Sequence, residues 1–528
     1  MKTLYERFRG QVEFAPGSMA IETPDKQWTH EFLLRCANGV AALLSESGLP
    51  LGERVLLLLK NSPEYVACYL GVLQSGGVVV AFSPDTTPAE LGFVIGHAAP
   101  ITVFADRSGM SVLAESLSHA GACSVRQVVV TDASEHRQFA DTIQVESWAD
   151  VMSRPANDES VAASLDAPCQ IIYTSGTTGQ PKGVTLSHSN IAANCSSIVQ
   201  YLTLTRDDSI LVTLPFFYSY GNSLLFTHLA VGGRLVLATD FVFWNRVLDL
   251  MEQKEVTGYS GVPSSFAMFL HRSNFAKREF PRLRYLTCAG GALASSVADQ
   301  LRAVVPHADL FLMYGQTEAT ARLSSLMPED IDRKMGSIGR GIPGVQLQVL
   351  NDEHAPVRPG EVGEIVAQGD NVMVGYWNDP HGSRDVLRSE GLRTGDLATV
   401  DDDGYIYIVG RRNDMIKHGA HRIHPQELEE VLLQCRGVAE VAVVGVEDEV
   451  WGEVPVAYIV PAQPADPPEI KDLVAHCQKV LPRFKVVREV RFVETLPKTA
   501  SGKVVRAALR QGATGQSQNL LERLGHER

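Results

Sequence analysis

At 528 residues, with 45% hydrophobic and 20% charged side chains, the chain is too long for one hydrophobic core and has the composition of a globular protein rather than a disordered or fibrous one. A net charge of -14, from 61 acidic against 47 basic residues, argues against a broad electrostatic footprint for nucleic acid. The opening MKTLYERFRGQVEF lacks a signal peptide's apolar run, and no stretch reaches the roughly 20 apolar residues that span a bilayer; a cytoplasmic enzyme with no membrane span is expected.

Apolar residues recur at helical spacing from Thr29 to Ser47, stopped by Gly48 and Pro50, and Val55 to Leu59 then reads as a buried strand. Ser62-Pro63 offers an N-cap with proline at the first helical position, the helix ends near Gly76-Gly77, and Val78 to Phe82 is another strand. Ile101 to Ala105 and Val128 to Thr131 continue the alternation, which predicts α/β architecture with parallel sheet. The eight cysteines (Cys36, Cys68, Cys123, Cys169, Cys195, Cys288, Cys435, Cys477) stand singly, without zinc spacing, and read as reduced core residues.

YTSGTTGQPKG, Tyr173 to Gly183, follows the apolar stretch Cys169 to Ile172. Glycines let backbone N–H groups converge on phosphate oxygens, hydroxyls add donors and Lys182 neutralises charge, so the segment reads as a polyphosphate cradle. It is not the GxxxxGK[ST] loop, because glycine follows Lys182 and Pro181 precedes it. LPFFYSYGNS, Leu214 to Ser223, is aromatic and uncharged; CAGGAL carries the pair Gly290-Gly291; and MYGQTEAT, Met313 to Thr320, carries an isolated carboxylate, Glu318. Such a carboxylate suits magnesium, which shares oxygen ligands with substrate phosphates. GSIGRGIPG, Gly336 to Gly344, lacks the βαβ setting of a dinucleotide fingerprint.

GEIVAQGDNVMVGYW (Gly363 to Trp377) precedes TGD (Thr394 to Asp396), and the alternation after it around Asp403-Gly404 is a hairpin signature. Asp396 has the chemistry to accept hydrogen bonds from both ribose hydroxyls. GRRNDMIKHGAHRIHP (Gly410 to Pro425) then leads into a helix near Pro425, so a domain boundary is expected at 411–413. Residues 411–512 hold 15 Lys and Arg against 14 Asp and Glu, which makes this the part where an anionic partner is expected. LPKTASGK (Leu496 to Lys503) places a long cationic side chain in a polar loop, and beyond Arg510 low apolar content predicts a loosely held tail.

These motifs, in this order over residues 10–510, resemble those of the adenylate-forming superfamily of acyl-CoA synthetases, stand-alone adenylation enzymes and firefly luciferases. The resemblance implies a large N-terminal α/β domain (1–410) of several subdomains with parallel sheets and a β-barrel-like part, a hinge (411–413), a small mobile α+β lid domain (414–512) and a flexible tail (513–528). It implies an AMP-forming ligase that uses ATP and Mg2+ to turn a carboxylic acid into its acyl-adenylate and passes the acyl group to coenzyme A; the phosphopantetheine arm of an acyl-carrier protein is the alternative acceptor. A non-catalytic nucleotide-binding homologue would be expected to lack Lys503 or Glu318, and both are present.

Carried over residue by residue, the resemblance makes Lys503, Glu318 and Thr317 catalytic, with Glu318 the metal ligand, Thr317 on the α-phosphate and Lys503 on the carboxylate and α-phosphate during adenylation. It assigns nucleotide contacts to Thr174, Ser175, Gly176, Thr177, Thr178, Gly179, Lys182, Gly290, Gly291, Ala292, Tyr314, Gly315, Gln316, Asp396 and Arg411, and the thiol channel to Gly419. Tyr218, Tyr220, Gly221, Tyr259 and Gly261 are the implied acyl pocket. Tyr218 stands where many relatives have histidine, Asn413 where hinges have aspartate or lysine, and Val487 where proline is common. Asp240 in DFVFWNRVLDL is not clearly the ammonium partner of amino-acid-activating relatives, so the uncharged Phe216 to Asn222 favours a fatty or aryl acid.

Overall fold

A computed structural model describes residues 1–119, 124–132, 139, 142–155, 160–174, 181–238, 243–412, 414–419, 421–448, 450–463, 465–498 and 504–513. Runs such as Val78–Ala81 and Gln127–Val130, rich in β-branched residues and buried along their length, form strands covered on both faces. Ser62 caps Pro63–Gln74 by accepting from the Tyr65 amide, as the sequence predicts, and Thr29 caps the helix His30–Glu46 by accepting from the Phe32 amide.

Among the described residues the first sheet has eight strands. Six are parallel, ordered Gln144–Ser147, Gln127–Val130, Thr102–Ala105, Arg54–Leu58, Val78–Ala81 and Pro168–Thr174 (β1), and the antiparallel strands Lys182–Ser187 (β2) and Gly375–Tyr376 close one edge. The second has nine, six of them parallel from Met19–Glu22 through Arg234–Leu237, Ser209–Val212, Gly258–Gly261 and Tyr285–Cys288 to Asp309–Tyr314 (β3). Val79 and Ile172 of the first sheet share one core with Ile210 and Leu235 of the second and with Phe226 of the helix Ser219–Val231 (α1).

The part expected to be barrel-like is a five-stranded antiparallel sheet. It contains Val345–Leu350, Gly363–Gly369, Leu387–Arg388 and the hairpin of Gly391–Val400 (β4) with Ile406–Arg411 (β5). A further five-stranded sheet, with Pro425–Leu433 and Ile470–Val480 packed into its core, makes the small C-terminal α+β part. The helix Arg506–Ala513 runs past Arg510, where the sequence reads as loosening. Cys36, Cys68, Cys169, Cys195, Cys288 and Cys477 are buried and free, and Cys435 is free and half-buried; Cys123 lies outside the described residues. No helix among the described residues is long and apolar enough to cross a membrane.

Candidate active site

Several of the sequence-predicted residues lie where parallel strands end. Thr174 closes β1, Gly261 closes one central strand of the second sheet, Gly290 follows its neighbour, and Gly315 follows β3; the carboxyl ends of parallel strands are the usual ligand edge of such sheets. A cavity of about 510 Å3 lined by Thr203, Asp207, Arg282 and His307 lies instead beside the opposite ends of these strands and contains none of the predicted residues.

The loop after β3 is folded back sharply. A Cβ on Gly315 would stand 1.9 Å from the Ala321 carbonyl oxygen, so only glycine fits there. Thr317–Ala319 is a short 3-10 turn, followed by Thr320 at φ 68 and ψ -63 with the Ala321 amide donating to the Ala319 carbonyl at 2.8 Å. That is a strained γ-turn, rare for a β-branched residue. It is fastened from outside: Thr320 Oγ1 donates to the Asn371 carbonyl at 2.7 Å, Asn371 Nδ2 donates to the carbonyls of Ala319 and Arg322 at 3.1 Å, and the Met373 amide donates to the Glu318 carbonyl at 2.9 Å.

Thr317 and Glu318 are thereby presented to three other elements. Thr317 Oγ1 is 3.1 Å from Ser219 Oγ at the start of α1. Glu318 Oε1 accepts from the Tyr376 hydroxyl at 3.0 Å, and the Lys182 ammonium lies 4.6 Å over the Tyr376 ring. Burial, and then the Glu318 carboxylate, push the Tyr376 phenol far above its ordinary value, so it remains a donor. Lys182 begins β2 directly opposite Thr174 on antiparallel β1. The predicted phosphate segment thus joins two paired strands, unlike the strand-to-helix loop that its composition could have suggested. Ser175, Gly176, Thr177, Thr178 and Gly179 lie outside the described residues.

Of the residues expected to touch the nucleotide, the Tyr314 hydroxyl donates to Asp396 Oδ2 at 2.6 Å and Arg411 Nε donates to Asp396 Oδ1 at 2.9 Å. Asp396 and Arg411 face each other in the register of the β4–β5 hairpin, and Asp396 is 3% exposed. The buried Gln316 Nε2 has no acceptor among the described residues. Gly290, Gly291 and Ala292 are exposed, with the two glycines set against Val262 and Pro263.

Of the residues expected in an acyl pocket, Tyr218 precedes α1 and packs on Phe217, and Gly221 backs onto the Pro215 carbonyl. The Tyr220 hydroxyl donates within reach of the Thr287 carbonyl and Oγ1, both at 3.0 Å, and of the Gly261 carbonyl at 3.5 Å. Tyr259 is a correction to the sequence reading. It is fully buried among Phe266 and Phe269, whereas the next residue, Ser260, bonds Thr287 Oγ1 at 2.6 Å beside Tyr220. Strand side chains alternate between faces, so Ser260 and not Tyr259 shares the side of Tyr220.

Gly419 sits at φ 58 in the tip between Ile416–His418 and His421–Ile423, and its amide donates to the Trp451 carbonyl at 2.7 Å. Lys503 and Asn413, like Asp240, lie outside the described residues. No group of three or more His, Cys, Asp or Glu capable of holding a metal occurs among the described residues. The half-buried Glu318 carboxylate, bonded by a neutral phenol and by no cation among the described residues, has the chemistry to fit Mg2+, which takes one or two carboxylates and completes its shell with phosphates and water. Ser219, Tyr376, Ser260, Thr287 and Arg322 escaped the sequence reading. Tyr376 stood inside a quoted motif and Arg322 four residues beyond Glu318, the two signals that could have found them.

Residues 8–377 match the AMP-binding enzyme family and residues 427–503 the AMP-binding enzyme C-terminal domain. The chain is 32% identical to an indoleacetate–CoA ligase of Aromatoleum aromaticum, over 94% of this chain and 95% of that protein. It is 30% identical to a long-chain-fatty-acid–CoA ligase of Mycobacterium tuberculosis, over 97% and 98%. The crystal structure of an anthranilate CoA ligase in complex with anthranoyl-AMP superposes with a TM-score of 0.88 at 26% identity, covering 97% of each chain.

Proposed function

Since this chain belongs to the AMP-binding enzyme family and is an AMP-forming acid–thiol ligase that uses ATP and coenzyme A, we propose that its acid has an apolar, aryl or alkyl body and that the residues around Glu318 perform the adenylation. The observation that carries this reading is the meeting of Thr317 and Glu318 with Ser219, Tyr376 and Lys182 on one side, and of Tyr314 with Asp396 and Arg411 on the other.

In adenylation the acid's carboxylate attacks the α-phosphorus of ATP and pyrophosphate leaves, so two anions must be held together while charge moves to the leaving group. Lys182 neutralises the departing phosphates, steadied by the Tyr376 ring. Thr317, oriented by Ser219, donates to the α-phosphate. Asp396 already accepts from Tyr314 and Arg411, each through a different oxygen, and its remaining lone pairs accept the ribose hydroxyls. Held by Glu318, Mg2+ would supply electrostatic stabilisation of the phosphate oxygens. Lys503 reaches the carboxylate in the same step; for the transfer to thiol we propose that residues 414–512 turn about 411–413 and bring the Gly419 tip to the site.

The apolar body rests on Tyr218 and Tyr220, and on the acids named for two relatives, indoleacetate and a long-chain fatty acid. The test is acid-dependent ATP–pyrophosphate exchange across fatty, aryl, hydroxy and amino acids, followed by thioester formation with coenzyme A or with holo-carrier proteins. Exchange is expected with fatty or aryl acids and transfer to coenzyme A. Exchange confined to amino acids would overturn the acid class, and a preference for a carrier above about tenfold in kcat/KM, roughly 1.4 kcal/mol, would replace the acceptor.

A further inference from the structure

Arg322 is 2% exposed, and arginine is almost never so buried unless an acid pairs with it. Among the described residues no carboxylate pairs with it. One terminal nitrogen donates to the Tyr201 hydroxyl at 2.6 Å, the other reaches Ser223 Oγ at 3.5 Å, and Nε has no acceptor at all. The guanidinium carbon lies 5.4 Å from the centre of the Tyr220 ring. This cation is therefore set against the side chain that lines the acyl side of the site, with hydrogen-bonding capacity left over.

The place where it reaches α1 gives a length. Ser219 touches Thr317 at the reacting end, and Ser223, which touches Arg322, is four residues further along the same helix, about 6 Å at the helical rise. An acid whose reacting carboxylate sits at Thr317 and whose body runs along Tyr220 meets the Arg322 guanidinium roughly one helical turn away. The backbone at Arg322 is held by two asparagines, its carbonyl accepting from Asn194 Nδ2 at 2.9 Å and Asn371 Nδ2 at 3.1 Å.

We infer that Arg322 selects the acid: the substrate is a dicarboxylic acid with a short apolar body, and its second, unreacting carboxylate pairs with Arg322 at the far end of the pocket. The inference rests on the acid-activating reading above; among acids of aryl or alkyl body it ranks one that ends in a carboxylate ahead of the methyl-ended acids with which weaker exchange is also expected. The planar guanidinium, with Nε–H free, suits a carboxylate, which accepts two N–H groups side by side.

The test compares matched acids of equal length, one ending in carboxylate and one in methyl, in ATP–pyrophosphate exchange. It also compares the equilibrium binding of their unreactive acyl-sulfamoyl adenosine analogues, with the wild type, Arg322→Met and Arg322→Lys. The wild type is expected to favour the dicarboxylic member on the order of 100-fold, as removal of one partner of a buried charge pair commonly costs; Arg322→Met should bring the ratio below about tenfold and Arg322→Lys should restore part of it. A wild-type ratio near one, a preference for the methyl acid, or an Arg322→Met that weakens both members equally overturns the inference and leaves Arg322 as a prop for Tyr220. If Arg322→Met does not fold, the wild-type ratio and Arg322→Lys decide. Discrimination between analogues without exchange on any acid sinks the adenylation reading alone, and exchange without discrimination sinks only the role of Arg322.

Discussion

Glu318 is held by a phenol, and that choice has consequences. A cation bonded to this carboxylate would compete with a metal, whereas the Tyr376 hydroxyl occupies one lone pair of Oε1 and leaves the charge unneutralised. Glu318→Gln is expected to lower magnesium-dependent pyrophosphate exchange on the order of 100-fold. Tyr376→Phe should raise the magnesium concentration needed for half-maximal rate several-fold and lower kcat less, because it frees the carboxylate without removing it. An unchanged magnesium dependence in Tyr376→Phe would show that the hydrogen bond plays no part in positioning. Glu318, Thr317, Asp396 and Arg411 were singled out in advance because each sits in a short motif, and the roles expected of them came from the resemblance those motifs carry. Ser219 and Tyr376 also stood inside quoted motifs, but their contacts with Thr317 and Glu318 span 98 and 58 residues, and one sequence does not show which distant residues meet.

At the level of elements, α1 is pinned to the second sheet by a histidine. His228 Nδ1–H donates to the Leu224 carbonyl at 2.9 Å, which fixes the tautomer, and Nε2 then accepts from the Tyr285 hydroxyl at 3.0 Å. Burial lowers the His228 pKa from 6.5 to about 4. The folded state thus resists a proton that the unfolded chain takes up, so nothing is lost above pH 6.5 and stability falls as pH drops from about 6.5 to about 4, by about 3 kcal/mol in all. Urea midpoints measured across that range should decline, and His228→Gln should flatten the decline; equal slopes in both proteins would refute this account. Gly315→Ala is a harsher change, since its methyl would overlap the Ala321 carbonyl. It should cost more than about 2 kcal/mol and abolish exchange, read as a lowered melting temperature. Elements with local signals were readable in advance: the Ser62-Pro63 helix start, and the β4–β5 hairpin with Gly404 at φ 81. Which face Tyr259 takes was not, because the strand Gly258–Gly261 is buried on both sides and its sequence has no polar alternation to mark the pocket.

For the whole molecule, the apolar runs from Val55 to Ile172 predict α/β architecture with parallel sheet, and all of them fall in the first sheet; the division into several sheets and a small C-terminal part came from the resemblance to a family. The sequence did not reveal that Gly375–Tyr376, nearly 190 residues after β2, returns to the edge of the first sheet beside that strand and so carries Tyr376 to Glu318. The proposed turning of residues 414–512 separates two half-reactions. Lys503→Ala should lose exchange yet still form thioester from supplied acyl-adenylate. Gly419→Val should do the opposite, because valine resists φ 58 and its side chain would press on Trp451, whose ring is 3.4 Å from a Cβ there. Parallel loss of both half-reactions in either folded variant would refute the two-face scheme. Arg411 ends β5 and also begins the proposed hinge. In any rotation a point is displaced in proportion to its distance from the axis, so the Asp396–Arg411 pair would stay almost still while Gly419 swings through an arc. The nucleotide would then be gripped at the pivot throughout, and lineages could remodel the acceptor at large radius while inheriting that grip unchanged.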